Sequence, residues 1–256
     1  MAAPPTIPYS LFPVPFLRGN RLILLTGGHG LLGPELRKRR EYFAPEEHEM
    51  DILDIPTLLK TVRDASPEYI FHCAAYTNVA KAETDWKRCY EVNVIGTRNM
   101  VMAAKEVGAT LIYMSTDYVF DGDQEPGGLG YEPDDVPHPI NWYATTKLIG
   151  EVYVQGYPEH YIIRSSFKKS PWEHPKAVAD MWSTCDFLDV IAPLIDKTVG
   201  RIVEGKPVPG RIIHLGTARK SLLELARRRQ PEIGSLVRAD VPVKLPVDTS
   251  LHFFEP

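Results

Sequence analysis

The chain has little cysteine, no long apolar run and no large excess of either charge. Its three cysteines, Cys73, Cys89 and Cys185, are an odd and widely spaced set in 256 residues. They exclude a disulfide framework, argue for a reducing compartment and, with no second ligand at finger-like spacing, offer no zinc site. His138, His160, His174 and His214 likewise show no mutual spacing that suggests a metal, so no metal is expected. No stretch approaches the roughly 20 apolar residues that span a bilayer. The start of the chain lacks the basic beginning and unbroken apolar centre of a signal peptide, so a cytoplasmic location without a membrane partner is expected. A formal net charge of −4 gives no electrostatic reason to bind nucleic acid. The basic runs Arg37-Lys38-Arg39-Arg40 and Arg227-Arg228-Arg229 read as solvated helix ends. The second follows Ser221-Leu222-Leu223-Glu224, a capping box, which places its arginines where they complement the helix dipole.

What is present is the composition of an ordinary soluble globule, 44% hydrophobic and 24% charged. Residues 1–20 carry Pro4, Pro5, Pro8, Pro13 and Pro15, which excludes helix. They read as an extended arm packed on the body or on a second subunit, as in a homodimer, or as a leader without fixed structure. From Arg21 short apolar runs alternate with longer amphipathic stretches, the signature of a parallel sheet with crossover helices. Strands are predicted at Leu22-Ile23-Leu24-Leu25, at Tyr69-Ile70-Phe71-His72-Cys73, at Leu111-Ile112-Tyr113-Met114 and at Tyr161-Ile162-Ile163, with a weaker one at Tyr42-Phe43. A long helix is expected from about Asp85 to Val107, closed by Gly108. The fold class is therefore α/β, a Rossmann-type doubly wound parallel sheet over 21–166. Residues 167–256 are expected to form a small substrate-binding cap, partly interleaved with the sheet, with helices near Asp186 to Val199 and Ser221 to Arg229 and a strand at Arg211 to Leu215.

After the first strand comes Thr26-Gly27-Gly28-His29-Gly30-Leu31-Leu32-Gly33. In a βαβ dinucleotide site one glycine permits the turn, a second lets backbone approach the pyrophosphate, and a third lets helix and strand pack closely. Gly27, Gly30 and Gly33 suit these tasks, with backbone N–H groups at the helix start holding the diphosphate. Asp51-Ile52-Leu53-Asp54 lies at a distance where an acidic residue often holds a ribose hydroxyl, and equally suits a loop beside adenine. Glu46 and Glu47 would repel a 2′-phosphate and Arg39 and Arg40 would attract one. The cofactor is NADP or NAD, with NADPH slightly preferred.

Tyr143-Ala144-Thr145-Thr146-Lys147 places a phenol and an ammonium four residues apart on one helix face. An adjacent cation and a positive nicotinamide ring would bring a tyrosine with an ordinary pKa near 10 towards working pH. Ser115-Thr116-Asp117 follows a predicted strand and so lies at a carboxyl-terminal strand end, where open α/β sheets bind ligands.

Taken with Asp51-Ile52-Leu53-Asp54, His72-Cys73-Ala74-Ala75-Tyr76-Thr77, Asn93-Val94-Ile95-Gly96-Thr97, Ser115 to Gly122 and Tyr143 to Glu151, these segments resemble an extended short-chain dehydrogenase/reductase. Within that family they look most like the dTDP-4-dehydrorhamnose reductase type, which reduces a 4-keto nucleotide-activated deoxysugar. The resemblance implies a catalytic triad of Thr116, Tyr143 and Lys147. Tyr143 would protonate a carbonyl oxygen that Thr116 also holds, and Lys147 would bind the nicotinamide ribose and lower the tyrosine pKa. It implies cofactor contacts at Gly27, Gly28, His29, Gly30, Leu31, Leu32 and Gly33, at Asp51 and Ile52 beside adenine, at Ala74, Ala75 and Tyr76, and at Tyr143 and Lys147. It places a nucleotide-sugar substrate against Thr116, Asp117, Tyr118 and Ser166. Asn93 reads as a structural helix residue that ties strands together. Related dehydratases carry Asp-Glu after the threonine, whereas here Tyr118 follows Asp117, so reduction fits better than dehydration.

Two departures stand out. Ala144 replaces the glycine the family usually has after the tyrosine, and Phe167-Lys168-Lys169-Ser170-Pro171-Trp172 opens a substrate half shorter than usual. Arg164, Lys168, Trp172 and Trp182 are candidate contacts for a nucleobase or diphosphate, with packing an equal reading for both tryptophans. The shortened half keeps two alternatives open: a cofactor-binding regulatory subunit, as the β subunit of methionine adenosyltransferase is in this family, and a nucleotide-sugar epimerase.

Overall fold

The computed structural model describes residues 21–124 and 128–256, so the arm expected over 1–20 lies outside the described residues. Short aliphatic and aromatic runs without a polar side become strands buried on both faces. β1 (Ile23–Thr26), β2 (Tyr69–His72), β3 (Thr110–Ser115), β4 (His160–Arg164) and a last strand, Ile212–His214, lie side by side in that order in one parallel sheet. The weak strand expected at Tyr42-Phe43 contracts to one parallel bridge between Phe43 and Leu24. Leu25 N donates to Phe43 O at 2.8 Å and Phe43 N to Ile23 O at 3.0 Å, so the chain touches the outer edge of β1 for a single step.

The helices in chain order are α1 (Gly33–Arg37), α2 (Ile55–Ala65), α3 (Val79–Ala82), α4 (Trp86–Tyr90), α5 (Thr97–Val107), α6 (Trp142–Gln155), α7 (Leu188–Val203) and α8 (Leu222–Arg227). Alternate strand residues face opposite layers. Leu25, Phe71, Ile112 and Ile163 pack with Leu36 of α1 and the apolar side of α7. Leu24, Ile70, Leu111 and Ile162 pack with Leu58 and Val62 of α2, Met100 of α5 and Val154 of α6. α2 has no counterpart in the sequence reading. Its start is nonetheless written there, in Pro56 within the first turn and in Asp54, whose Oδ2 accepts from Thr57 Oγ1 at 2.6 Å. The helix expected from Asp85 to Val107 is present, but Glu91–Gly96 form a π-helical turn between α4 and α5. Gly108 closes it in the left-handed conformation. No helix among the described residues is long and apolar enough to cross a membrane.

Past β4 the chain builds a cap from short strand pairs, Phe167–Lys168 with Asp186–Phe187, Lys176–Val178 with Gly234–Leu236, and Trp182–Ser183 with Lys220–Ser221. α7 and the strand Ile212–His214 return to the sheet, so residues after 166 are shared between the two layers. The core of the cap includes Trp172, Met181, Phe187 and Leu225, and it is completed by Tyr118 and Ala144 from the sheet side. α8 carries its full capping box: Ser221 N donates to Glu224 Oε2 at 2.8 Å and Glu224 N to Ser221 Oγ at 3.1 Å. The arginines behind it are not merely solvated, since Arg229 pairs with Asp189 at 2.8 Å and Arg228 with Asp186 at 3.4 Å.

α1 starts so close to the preceding turn that a Cβ on Gly33 would lie 2.4 Å from the backbone of Gly28. No side-chain rotation relieves a clash with backbone. Gly33→Ala is therefore expected to cost about 1–3 kcal/mol of stability in urea unfolding, against a few tenths for an exposed substitution such as Glu232→Ala.

Candidate active site

The glycine turn leaves β1 at Gly27, whose φ of +69° is a backbone state that suits glycine. A Cβ there would lie 2.7 Å from Ala74 N, so the turn presses on the loop that follows β2. Gly28 is buried beneath the turn and His29, Gly30 and Leu31 are exposed on its rim, with Leu32 and Gly33 buried behind them. Gly30 N donates to Gly27 O at 3.0 Å, which closes the turn. His29 Nε2 lies 2.8 Å from Arg37 Nη1 and 3.0 Å from Glu46 Oε1. The arginines that the sequence offers to a 2′-phosphate are otherwise engaged: Arg39 pairs with Glu35 at 3.0 Å and Arg40 with Asp196 of α7 at 3.1 Å.

The loop after β2, carrying Ala74, Ala75 and Tyr76, is held by a chain of buried polar groups. Thr26 Oγ1 accepts from Cys73 N at 3.2 Å and Ala74 N at 3.1 Å, and lies 2.7 Å from His72 Nδ1. With both lone pairs used, the threonine hydroxyl donates to Nδ1. The other ring nitrogen, Nε2, then carries the proton and donates to Thr97 Oγ1 at 3.1 Å, and Thr97 in turn donates to Asn93 O at 2.7 Å. Burial lowers the His72 pKa to about 3, with the Lys147 charge adding to the effect, so the ring is neutral as this chain of bonds requires. Asn93 reaches further than a purely intrahelical residue. Its Oδ1 accepts from Tyr76 N at 2.8 Å, and its Nδ2 donates to Tyr76 O at 3.1 Å and to Thr146 Oγ1 of α6 at 3.0 Å.

Thr116 stands directly beyond β3 and Tyr143 lies in the first turn of α6, whose cap Asn141 accepts from Ala144 N at 2.9 Å. Burial raises the Tyr143 phenol above its ordinary value; a hydrogen bond with Thr116 opposes the rise and the charge of Asp117 adds to it. The chain's own groups thus leave Tyr143 protonated, the form a proton donor needs. Lys147 is buried, donates from Nζ to Met114 O at 2.8 Å and sits 4.1 Å from the centre of the Tyr113 ring. Burial takes its ammonium down to about 7, opposed by the negative charge of Glu151.

Several residues picked from the sequence have partners within the chain. Asp117 is only 1% exposed; its Oδ2 accepts from Ser183 Oγ at 2.8 Å and Thr249 Oγ1 at 2.7 Å, and its Oδ1 from Thr116 Oγ1 at 3.2 Å. Its carboxylate ties cap and tail to the sheet rather than lying open to a substrate. Arg164, offered as a diphosphate contact, is instead buried against Glu151 at 2.7 Å. Trp172 packs inside the cap core and Trp182 lies under Arg219, 4.2 Å from the guanidinium carbon to the ring centre. Lys168 lies 5.8 Å from the Tyr118 ring centre, and the Tyr118 hydroxyl donates to Met181 Sδ at 3.7 Å. Asp51 Oδ1 accepts from Leu53 N at 2.8 Å, and Ile52 is buried with its carbonyl accepting from Asn99 Nδ2 at 2.9 Å. Ser166 is half-buried just past β4, next to Ser165, whose buried hydroxyl has no partner among the described residues. The sequence reading of His72 as a satisfied buried imidazole in a strand holds, whereas the roles of Thr26 and Glu151 were missed; a polar residue at the end of an otherwise apolar strand was the available signal for the first.

A family model described as RmlD substrate binding domain matches residues 21–191. The chain belongs to this family. It is similar to a dTDP-4-dehydrorhamnose reductase of Mycobacterium tuberculosis, 38% identical over 159 residues that cover 59% of this chain and 51% of that protein. It is also similar to methionine adenosyltransferase 2 subunit beta of Pongo abelii, 35% identical over 144 residues that cover 52% of this chain and 42% of that protein. The chain thus spans about half the length of the relatives it matches. Among solved structures it resembles a dTDP-4-dehydrorhamnose reductase of Bacillus anthracis in complex with NADP, with a TM-score of 0.80, 25% identity and 91% of each chain covered.

The buried ammonium gives a stability signature. A lysine whose folded pKa is lowered opposes folding below that value, and the penalty fades as pH rises towards the unfolded pKa. With Lys147 at about 7, Lys147→Met is expected to be more stable than the wild type at pH 6. The difference between the two proteins in urea unfolding should shrink by about 2–3 kcal/mol between pH 6 and pH 9.

Proposed function

We propose that this chain reduces the 4-keto group of a nucleotide-activated deoxysugar with NADPH or NADH. The observation that carries this reading is the placement of Thr116, Tyr143 and Lys147 around the carboxyl end of β3, with Tyr143 protonated and Thr116 in hydrogen-bonding reach of it. Membership of the RmlD family and the names of the M. tuberculosis and B. anthracis relatives support the substrate class.

The residues present fit a dinucleotide: without side chains at Gly27 and Gly33 the turn packs directly on the backbone of Ala74 and Gly28, and Gly30 lies exposed on its rim with no side chain to keep a diphosphate away. Because Gly30 N–H is used inside the turn, Leu31 and Leu32 at the head of α1 would supply the backbone donors to the diphosphate. Asp51 and Ile52 would flank the adenine, and Ala74, Ala75 and Tyr76 would line the nicotinamide half. When bound, the reduced nicotinamide supplies a hydride. Tyr143 Oη gives its proton to the carbonyl oxygen, Thr116 Oγ1 holds the same oxygen, and Lys147 Nζ binds a ribose hydroxyl while its charge favours the phenolate left behind. For the second ribose, Arg37 brings a positive charge to the turn through its contact with His29, and Glu46 opposes it. NADPH is the preferred form when Arg37 prevails.

The test is oxidation of NADPH by the purified protein with dTDP-4-keto-6-deoxysugars. Tyr143→Phe should lower kcat by about 100-fold or more while cofactor affinity stays within a few-fold. Retained cofactor binding with no oxidation, and indifference of a partner's activity to Tyr143→Phe, would instead support a regulatory subunit. Tightly held NAD with sugar interconversion would support an epimerase. Arg37→Ala is expected to lower kcat/KM for NADPH by about 10-fold with little change for NADH, and Glu46→Gln to raise the NADPH preference.

A further inference from the structure

One turn beyond Lys147 on α6 stands Glu151, which no step above uses. It is 0% exposed and its carboxylate takes three donors: Ser115 Oγ at 2.5 Å and Arg164 Nε at 3.0 Å on Oε1, and Arg164 Nη2 at 2.7 Å on Oε2. Arg164 is equally committed. Its Nη1 donates to Pro133 O at 3.2 Å and to His214 Nε2 at 3.4 Å, and its guanidinium carbon lies 5.1 Å from the Phe120 ring centre. Apolar residues of the same size would avoid the desolvation cost of such a pair. Its location is informative: Ser115 immediately precedes Thr116, Arg164 ends β4, and Tyr143, Lys147 and Glu151 follow one another at four-residue intervals along α6.

The other groups around Lys147 are uncharged. Tyr113 and the Met114 carbonyl come from β3, His72 ends β2 as a neutral ring, and burial holds the thiols of Cys73 and Cys89 protonated. Glu151 is the carboxylate that acts on the ammonium.

We propose that Glu151 is a positioning residue for Lys147, keeping the ammonium charged and, through Ser115, fixing α6 against the strand end that carries Thr116. Burial holds Lys147 at about 7 even beside this carboxylate, so removing the negative charge lowers the share of the amine that is held as a cation for a ribose. The consequence for turnover rests on the reductase reading. The effect on Lys147 itself does not.

The experiment follows both. Protein labelled with 13C at lysine Cε is titrated by NMR without cofactor, the Lys147 signal being the one missing from Lys147→Arg. In Glu151→Gln the Lys147 midpoint is expected to fall by about one pH unit or more. The limb of kcat/KM on which activity is lost as pH rises should move down with it. Glu151→Asp keeps the charge and should hold both positions close to wild type, even with slower turnover. The double variant Glu151→Gln/Arg164→Met leaves no guanidinium unpaired and should also show a lowered midpoint, which covers the case in which the single variant does not fold. An unmoved Lys147 midpoint in the variants that fold overturns the proposal. A lowered midpoint in a protein that reduces no keto sugar sustains it and sinks the reductase reading alone.

Discussion

A carboxylate sealed from water must have its oxygens hydrogen-bonded, and at Asp117 that requirement gathers three separate stretches of chain. Thr116 comes from the end of β3, Ser183 from the cap and Thr249 from the tail, and all three hydroxyls point at one side chain. Around this point the tail is laced to the cap by backbone: Trp182 N donates to Val247 O at 2.8 Å, Thr249 N to Trp182 O at 3.0 Å, and Leu251 N to Thr184 Oγ1 at 3.2 Å. The position of Thr116 is therefore set as much by residues more than sixty positions away as by the strand it follows.

The molecule uses two kinds of interior. On either side of the sheet, aliphatic layers provide bulk burial that tolerates exchange of one apolar side chain for another of similar volume. At the carboxyl ends of the strands the interior is polar and directional. The run from Thr26 through His72 and Thr97 to Asn93, and from Asn93 to Tyr76 and Thr146, joins the glycine turn, the loop beside it and the helix of Tyr143 by hydrogen bonds whose donors and acceptors are all assigned. Each such bond adds only about 1 kcal/mol, but a broken one leaves a buried group unmet, which costs more. That asymmetry fixes geometry more firmly than packing alone.

Much of this was legible in the sequence. Periodicity located every strand of the sheet, because strands buried on both faces must be continuous apolar runs. The glycine turn and the Tyr143–Lys147 spacing marked the candidate site, because backbone approach and a shared helix face have few residue solutions. What escaped was set by partners distant in sequence. Arg164 looked like a free cation until Glu151 came to it across β4 and α6. Asp117 looked like a substrate contact because Ser183 and Thr249 lie 66 and 132 residues away. The π-helical turn at Glu91–Gly96 carries Asn93, which bonds Tyr76 outside its own helix, and no helical pattern encodes such a turn. Asp54 and Pro56 did announce α2, but the acidic run drew attention to the ribose instead.

Ala144 is buried in the core of the cap although it belongs to the helix of Tyr143. The residue that departs from the family's glycine and the segment that departs from its length thus meet in one packed cluster. Cap and sheet cannot be traded between relatives as separate cassettes. A graft cut at the end of β4 would bring in a surface shaped for a different residue at 144, and the mismatch would fall one position from the phenol. The cap and the helix that carries Tyr143 are therefore packed as one unit, and a change of volume in either is felt by the other.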